Sequence, residues 1–248
     1  MKKLTGLSIL VTRPAPQGEL LCDKIREENG NAIYFPTLAI APIALQQEAL
    51  KNIAQMNWLI FVSPQAVYHS LRYLDDLPSQ IKIAAVGGGT AKALQDAGKS
   101  VQCYPADDWS SEGLLDLPDF QSIREEKIAI VKGEGGRDTL LTTLLARGAE
   151  VAQMVVYQRI MPSLDVEPVL ALLQAKKIDR IICASVEGLR NLKILLVAQW
   201  FSLQKIYLLV VSERMRTAAL KMGFTHVVVA KNANYSSLID SLSKEKNT

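Results

Sequence analysis

The chain has 248 residues, of which 49% are hydrophobic and 21% are charged, and its formal net charge is +3. This composition is typical of a globular protein with one large domain or two small ones. The weak positive charge suits an acidic small molecule, and the chain lacks the lysine- and arginine-rich runs with interleaved aromatic residues that predict a nucleic-acid partner.

The N-terminal stretch MKKLTGLSILVTRP predicts no targeting segment, because its apolar run is short and ends at Arg13 and Pro14. No apolar run reaches membrane-spanning length, so we expect a cytoplasmic protein without membrane contact. Cys22, Cys103 and Cys183 are far apart and odd in number, which favours reduced thiols packed inside the fold.

The first half of the chain alternates strand-like and helical stretches. LSILVTRP predicts a strand, and the helical stretch after it ends at Gly30. YFPTLAIAPI, near residues 34–43, is extended, and WLIFVSPQAVYHSL then predicts a buried strand, Ser63 and a helix. KIAAVGGGTAKALQDAG predicts a strand, a turn of three glycines and a helix that ends at Gly98.

The second half of the chain repeats these units. KIAIVKGE and a helix ending at Gly148 match the opening unit, and the extended AQMVVYQRIMP follows near residues 152–162. RIICASVEGLRNL matches WLIFVSPQAVYHSL, with Ser185 in the position of Ser63. KIYLLVVSERMRTAALKMG matches the stretch that contains the turn of three glycines. SSEGLLDLP also resembles NYSSLIDSL.

Short apolar runs that alternate with helices predict parallel sheets covered on both faces, and two copies predict two doubly wound α/β lobes. The two extended segments are suited to pair as an antiparallel ladder between the lobes. We therefore predict a discontinuous first lobe of residues 1–36 and 161–248, a second lobe of residues 42–154, and linker strands at residues 37–41 and 155–160.

Ligands of such sheets bind beyond the carboxyl ends of the strands. Those ends carry Arg13, Ser63, the Gly87–Thr90 turn, Lys132, Ser185 and the Ser212–Met215 turn. Amides at helix N-termini attract anions, so we expect an acidic ligand. Neither glycine turn has the dinucleotide fingerprint, because Lys92 and Asp138 stand where its third glycine is required.

The sequence offers little for metal or nucleophilic catalysis. His69 and His226 have no partner at metal-ligand spacing, which favours structural or surface roles for both. No serine lies in a G-x-S-x-G elbow. The residues alone therefore predict neither a metal site nor a nucleophilic serine.

VTRP, FVSPQAV, AAVGGGTAKAL, VKGEGGRDTL, VVYQR, CASVEGL and VVSERM stand in the order and spacing of the uroporphyrinogen-III synthase family, which the chain resembles over nearly its whole length. That resemblance implies two flavodoxin-like lobes joined by a two-stranded antiparallel linker, with the active site in the cleft between them. It also implies a cofactor-independent lyase of tetrapyrrole biosynthesis. The substrate is then hydroxymethylbilane, a linear tetrapyrrole with eight carboxylates. Water is lost, ring D is inverted through a spiro intermediate, and uroporphyrinogen III is formed.

The resemblance implies two catalytic residues, Tyr157 and Thr90. Tyr157 in VVYQR is suited to donate a hydrogen bond to the departing hydroxyl, although a phenol is a weak acid; packing alone is an equal alternative. Thr90 is suited to hold a substrate carboxylate, and a plain helix N-cap is the alternative role. Met215 stands where some members carry threonine, so no hydroxyl acts there.

A further set of residues is predicted to bind the substrate carboxylates. Its members are Arg13, Ser63, Gly88, Gly89, Lys132, Gly133, Arg137, Ser185, Ser212 and Arg214. The alternatives stay open, because serines at helix starts are common caps and any one of these cations is as well explained by a surface ion pair.

Two rival functions remain. One is an α/β protein that binds a nucleotide or sugar phosphate through the same turns, and the other is a two-lobed anion-binding protein without catalysis. Nothing in the sequence requires more than a monomer, and the resemblance implies a transient contact with the upstream hydroxymethylbilane synthase.

Overall fold

The computed structural model describes residues 2–74 and 78–243. Its β-strands, in chain order, are β1 (Ser8–Val11), β2 (Asn31–Tyr34), β3 (Ala39–Pro42), β4 (Trp58–Phe61), β5 (Lys82–Ala85), β6 (Lys127–Gly133), β7 (Glu150–Ile160), β8 (Arg180–Ile182), β9 (Tyr207–Val210) and β10 (Val227–Val229).

Helices connect most of these strands. They are α1 (Gln17–Glu27), α2 (Gln47–Ile53), α3 (Pro64–Ser70), α4 (Gly88–Asp96), α5 (Ser111–Leu115), α6 (Thr139–Ala146), α7 (Glu167–Gln174), α8 (Val186–Leu195), α9 (Trp200–Leu203), α10 (Glu213–Lys221) and α11 (Tyr235–Ser243). Short 3₁₀ turns lie at Leu71–Tyr73, Pro118–Phe120 and Val197–Gln199.

The chain divides into two compact units, each with its own five-stranded sheet. The first unit is Met1–Ala39 with Ile160–Thr248, and the second is Ile40–Arg159. The first sheet has the order β10-β9-β8-β1-β2 with parallel pairing throughout. Counted within the unit, this is the 2-1-3-4-5 order of flavodoxin-like folds.

The second sheet has the order β3-β7-β6-β4-β5, and β7, β6, β4 and β5 are parallel. The internal repeat equates β6 and β7 with β1 and β2, and it equates β4 and β5 with β8 and β9. The single parallel bridge from Ala84 to Cys103 then stands where β10 stands in the first sheet. The second sheet is thus a circular permutation of the first, with β3 added at its edge.

Central strands are buried on both faces, as the continuous apolar runs predict. In β1, Leu10 packs in the core on one face of the sheet while Ile9 and Val11 pack on the other. In β4, Leu59 and Phe61 likewise face away from Trp58 and Ile60. Side chains alternate along a strand, so both faces must be covered by helices.

The segments predicted as linker strands, residues 37–41 and 155–160, overlap β3 and β7. These strands are neighbours in the second sheet, and the amide of Ile43 donates to the carbonyl of Val156 at 2.9 Å. β7 begins at Glu150 and pairs with β6 as well, so the same residues that were predicted to bridge the lobes also form part of a sheet.

One predicted helix end is wrong. Gly148 follows α6 with φ 84°, as a glycine C-cap requires, but α1 ends through Asn29, with φ 60°. Asparagine tolerates this left-handed conformation better than most residues. Gly30 serves close packing instead, since a Cβ there would lie 2.7 Å from Cγ2 of Ile25.

Within residues 2–74 and 78–243, no helix combines the length and the apolar character needed to cross a bilayer.

Candidate active site

The second sheet reverses its winding between β6 and β4. The chain leaves β4 through α3 toward β5, and it leaves β6 through α6 toward β7, on the other side of the sheet order. Loops at such a switch point diverge and open a crevice at the carboxyl ends of the strands, where ligands of doubly wound folds bind.

A pocket of about 200 Å³ lies at this point; we call it the switch-point pocket. Its lining includes Ser63, Lys132, Gly133, Glu134, Arg137, Gln153, Tyr157 and Arg159. Five of the residues predicted from the sequence are therefore brought together: Ser63, Lys132, Gly133, Arg137 and Tyr157.

Tyr157 and Ser63 form the polar centre of the switch-point pocket. The two hydroxyl oxygens are 3.2 Å apart, and either can be the donor. Ser63 also caps α3, because its Oγ accepts a hydrogen bond from the amide of Ala66 at 3.1 Å. The predicted cap and the predicted site residue are therefore the same side chain in two roles.

A β-bulge turns Tyr157 toward the pocket. Lys132 pairs with Val155 and Gly133 with Tyr157, so Val156 is an extra residue on β7. Val156 and Tyr157 are consecutive, yet both pack in the same hydrophobic cluster and Tyr157 is only 3% exposed. Without the bulge, alternation would send these two side chains to opposite faces.

Gly133 leaves the space that the tyrosine ring fills. A Cβ at position 133 would overlap Cζ and Cε2 of Tyr157 and would lie 2.8 Å from its hydroxyl oxygen. The amide of Glu134 also donates to the carbonyl of Tyr157 at 2.8 Å. Backbone and ring are therefore both held against the end of β6.

Three cations and one exposed acid line the switch-point pocket. Lys132 Nζ donates to Gln153 Oε1 at 3.1 Å, and Arg137 forms an exposed ion pair with Glu112 at 3.1 Å. Arg159 has its guanidinium carbon 5.9 Å from the ring centroid of Tyr157. The three cations outnumber the one acidic side chain, Glu134, so the pocket suits an acidic ligand.

His69 approaches Tyr157 from α3. Their ring centroids are 5.6 Å apart with the planes tilted by 35°. Partial burial, and then the nearby Arg72, lower the pKa of His69 from its ordinary value, which favours the neutral imidazole. The histidine thus packs beside the tyrosine without adding a charge at neutral pH.

The glycine turn after β5 differs from the predicted arrangement in one detail. Gly87 is the N-cap of α4, and Gly88 and Gly89 are its first two residues. Thr90 is the third helical residue and is only 4% exposed, and its amide donates to the carbonyl of Gly87 at 3.0 Å. The alternative role of Thr90 as an N-cap is therefore wrong, and its amide is already used.

The first unit holds the remaining predicted residues at the carboxyl edge of its own sheet. Ser185 accepts from the amide of Gly188 at 2.9 Å and Ser212 from that of Met215 at 3.3 Å, so each caps a helix. Arg214 is exposed on the first turn of α10. Arg13 follows β1, beside the point where this sheet reverses its winding.

Arg13 has an unusual environment. Its Nη1 is buried, and it is the buried side-chain nitrogen or oxygen without a hydrogen-bond partner among residues 2–74 and 78–243. Burial lowers the pKa of Arg13 from its ordinary value, and the opposing effect of Tyr235 is smaller. A buried cationic donor without a partner is costly.

Sequence reasoning missed Arg159, Gln153 and the contact of His69 with Tyr157. Arg159 had a usable signal, because it lies two residues after Tyr157 on the same strand and alternation places both on one side. In the part of the chain that the structure describes, no group of three histidine, cysteine, aspartate or glutamate side chains is arranged to hold a metal ion.

Two α/β sheets of mainly parallel strands, each with a reversal of strand order, define a two-lobed protein of the doubly wound class. Residues 20–240 match the family model described as uroporphyrinogen-III synthase HemD. The chain belongs to the uroporphyrinogen-III synthase family.

Relatives and solved structures agree with that assignment. The chain is 33% identical over 246 residues to the uroporphyrinogen-III synthase of Escherichia coli K12, covering 95% of this chain and 100% of the relative. It is 32% identical over 246 residues to the uroporphyrinogen-III synthase of Salmonella typhimurium LT2, again covering 95% of this chain and 100% of the relative.

In fold, the chain is similar to the uroporphyrinogen-III synthetase of Helicobacter pylori 26695, with TM-score 0.61, 17% identity, and 95% of this chain and 97% of that one covered. The chain is also similar to a mutant uroporphyrinogen III synthase of the extremely thermophilic bacterium Thermus thermophilus. The TM-score is 0.60 at 16% identity, and 95% of this chain and 97% of that one are covered. These likenesses support the predicted two-lobed α/β class.

Proposed function

We propose that this chain, acting as a lyase, converts hydroxymethylbilane into uroporphyrinogen III. The observation that carries the proposal is the Tyr157 hydroxyl, held by Ser63 in a pocket with a surplus of cations. Family membership supplies the reaction, and the pocket supplies chemistry that suits its substrate.

The leaving group defines the task of Tyr157. The electron pair of a pyrrole nitrogen expels the terminal hydroxyl, so that the C–O bond breaks, and a proton taken from solvent converts the leaving oxygen into water. Tyr157 donates a hydrogen bond to that hydroxyl as it leaves, and Ser63 holds the phenol in place. The methylene carbon left behind then bonds to the substituted α-carbon of ring D, which gives the spiro intermediate. The original bond from that α-carbon to the bridge toward ring C breaks, the bridge carbon bonds to the free α-carbon of ring D, and the proton on that carbon is lost to solvent. Ring D is thereby inverted.

Carboxylate binding fixes the reacting conformer. Lys132, Arg137 and Arg159 take substrate carboxylates at the switch-point pocket, helped by the Gly133 turn. The first two amides of α4, at Gly88 and Gly89, precede the helical hydrogen-bond ladder and are suited to a further carboxylate, with the Thr90 hydroxyl beside them.

In the first unit, the partly exposed Arg13 takes a carboxylate through its guanidinium, and Ser185, Ser212 and Arg214 add polar contacts at the same sheet edge. A geometric preference of about 3 kcal/mol gives roughly a hundredfold bias between two ring closures. A few charge-assisted hydrogen bonds supply energies of that order.

The test is a coupled assay in which hydroxymethylbilane is supplied and the oxidised products are separated into isomers I and III. We expect isomer III from the wild type. We expect Tyr157→Phe to lower kcat by about a hundredfold, while Tyr68→Phe, an exposed tyrosine on α3, keeps the wild-type value. Isomer I alone from the wild type would overturn the proposal.

Family membership favours this function over a two-lobed anion- or nucleotide-binding protein without catalysis. The cytoplasmic location, the monomeric state and the transient contact with hydroxymethylbilane synthase stay predictions.

A further inference from the structure

Trp109 is a large apolar side chain that the proposed mechanism does not use. It is 64% exposed, whereas Trp58 and Trp200 are 2% and 6% exposed. Single exposed apolar residues are common on protein surfaces, so exposure alone says little. The informative feature is that this exposed ring is held in a defined orientation.

Two contacts fix the indole. Its Nε1–H donates to the carbonyl of Ala106 at 3.1 Å. Its atoms lie against the glycine turn, since a Cβ at Gly87 would be 2.9 Å from Cβ of Trp109 and one at Gly88 would be 3.0 Å from Cζ2. The turn therefore forms a flat seat for the ring, which larger residues at these two positions would disturb.

Trp109 lies two residues before a residue that lines the switch-point pocket. Ser110 caps α5 by accepting from the amide of Gly113 at 3.0 Å, the next residue Ser111 lines the pocket, and Glu112 pairs with Arg137. The glycine turn under the indole follows β5. In the sheet β5 pairs with β4, and Ser63 follows β4. Ring and pocket share the carboxyl edge of one sheet.

We propose that Trp109 is a stacking surface for one pyrrole ring of the tetrapyrrole, an inference that rests on the proposed function and names a further substrate-binding residue for it. Pyrroles are flat and electron-rich, and an offset or edge-on contact with indole adds binding beyond apolar burial. A ring held there lies beside the carboxylate sites, so stacking and charge together restrict the conformers of the flexible chain.

The test compares Trp109→Leu, Trp109→Phe and the matched control Tyr104→Leu, another exposed aromatic of the same loop, 43% exposed. KM for hydroxymethylbilane, kcat and the ratio of isomers III to I are measured. We expect Leu to raise KM about threefold to tenfold with little change in kcat, Phe to restore KM to within about twofold, and the control to match the wild type.

Thermal melting of each variant shows whether it is folded, and the exposure of the ring leads us to expect wild-type melting. A wild-type KM in Trp109→Leu would overturn the inference, as would a Phe variant as impaired as the Leu variant. Either result leaves isomer III formation by the wild type intact, so the inference fails without the proposed function. Absence of isomer III from the wild type is a failure of the function itself.

Discussion

The ring of Tyr157 occupies the space that any side chain at position 133 would need. A glycine at the end of β6 and a tyrosine after the bulge of β7 are therefore one structural unit. The glycine is required here for close approach and not for backbone conformation, because its φ lies outside the left-handed region.

Gly133→Ala should destabilise the fold by about 1–3 kcal/mol, because the buried ring must move to admit the methyl group. Displacement of the phenol from Ser63 should also lower kcat by more than tenfold. Urea unfolding and the isomer assay measure the two effects. In the Tyr157→Ala background the same glycine substitution should cost much less stability. Equal costs in both backgrounds would show that the ring is not what the methyl group meets.

Arg13→Met should separate stability from activity. The substitution removes a buried cationic nitrogen without a hydrogen-bond partner and keeps much of the apolar stem, so the free energy of unfolding should stay equal or rise by about 1 kcal/mol. KM for hydroxymethylbilane should rise about tenfold, the equivalent of one charge-assisted contact. A variant that loses stability but binds substrate normally would contradict the assignment of Arg13 to the substrate.

Lys176→Gly should stabilise the first unit. The residue follows α7 with φ 54°, and its amide donates to Leu173 while that of Lys177 donates to Leu172, which is the hydrogen-bond pattern of a glycine-terminated helix. Relief of the left-handed lysine is worth about 1 kcal/mol in urea unfolding. Lys177→Gly, one residue on and without a positive φ, should lower stability instead. The reverse order of the two variants would refute this account of the helix end.

Cys103 should react slowly with alkylating reagents near neutral pH. Burial, and secondarily Asp119, raise the pKa of Cys103 to about 11, so only a minute fraction is thiolate at pH 8. The alkylation rate of the native protein should rise about tenfold per pH unit between pH 8 and 10. Cys22 and Cys183 are buried and should stay protected until denaturant is added. Fast labelling at pH 7 would contradict the environment described for Cys103.

Much of the fold follows from local patterns. Continuous apolar strands predict burial on both faces, and the matched units predict two doubly wound lobes; the two observed sheets are circular permutations of each other. The predicted helix caps at Ser63 and Ser185 are confirmed, because capping depends on a side chain and an amide a few residues apart, and the structure adds a third cap at Ser212.

Features that depend on pairing or packing between distant segments cannot be predicted from local sequence patterns. The bulge at Val156 arises from the register between β7 and β6, and no property of VVYQR alone specifies it. The N-cap at Gly87 is easily misassigned to Thr90, because glycine caps carry no side-chain signal. Arg13 has an ordinary sequence context, and only the packing around it leaves Nη1 buried without a partner.

The second unit is an uninterrupted stretch of chain, whereas the first is assembled from both termini. During synthesis on the ribosome, Ile40–Arg159 emerges whole and can complete its sheet while the rest is still being translated. The first sheet cannot form around β1 and β2 until β8 has been translated, because β8 is the strand that pairs with β1 at its centre. The inner unit therefore matures first, and a nascent chain halted shortly after Arg159 has left the exit tunnel should already protect β4 and β6 from proteolysis.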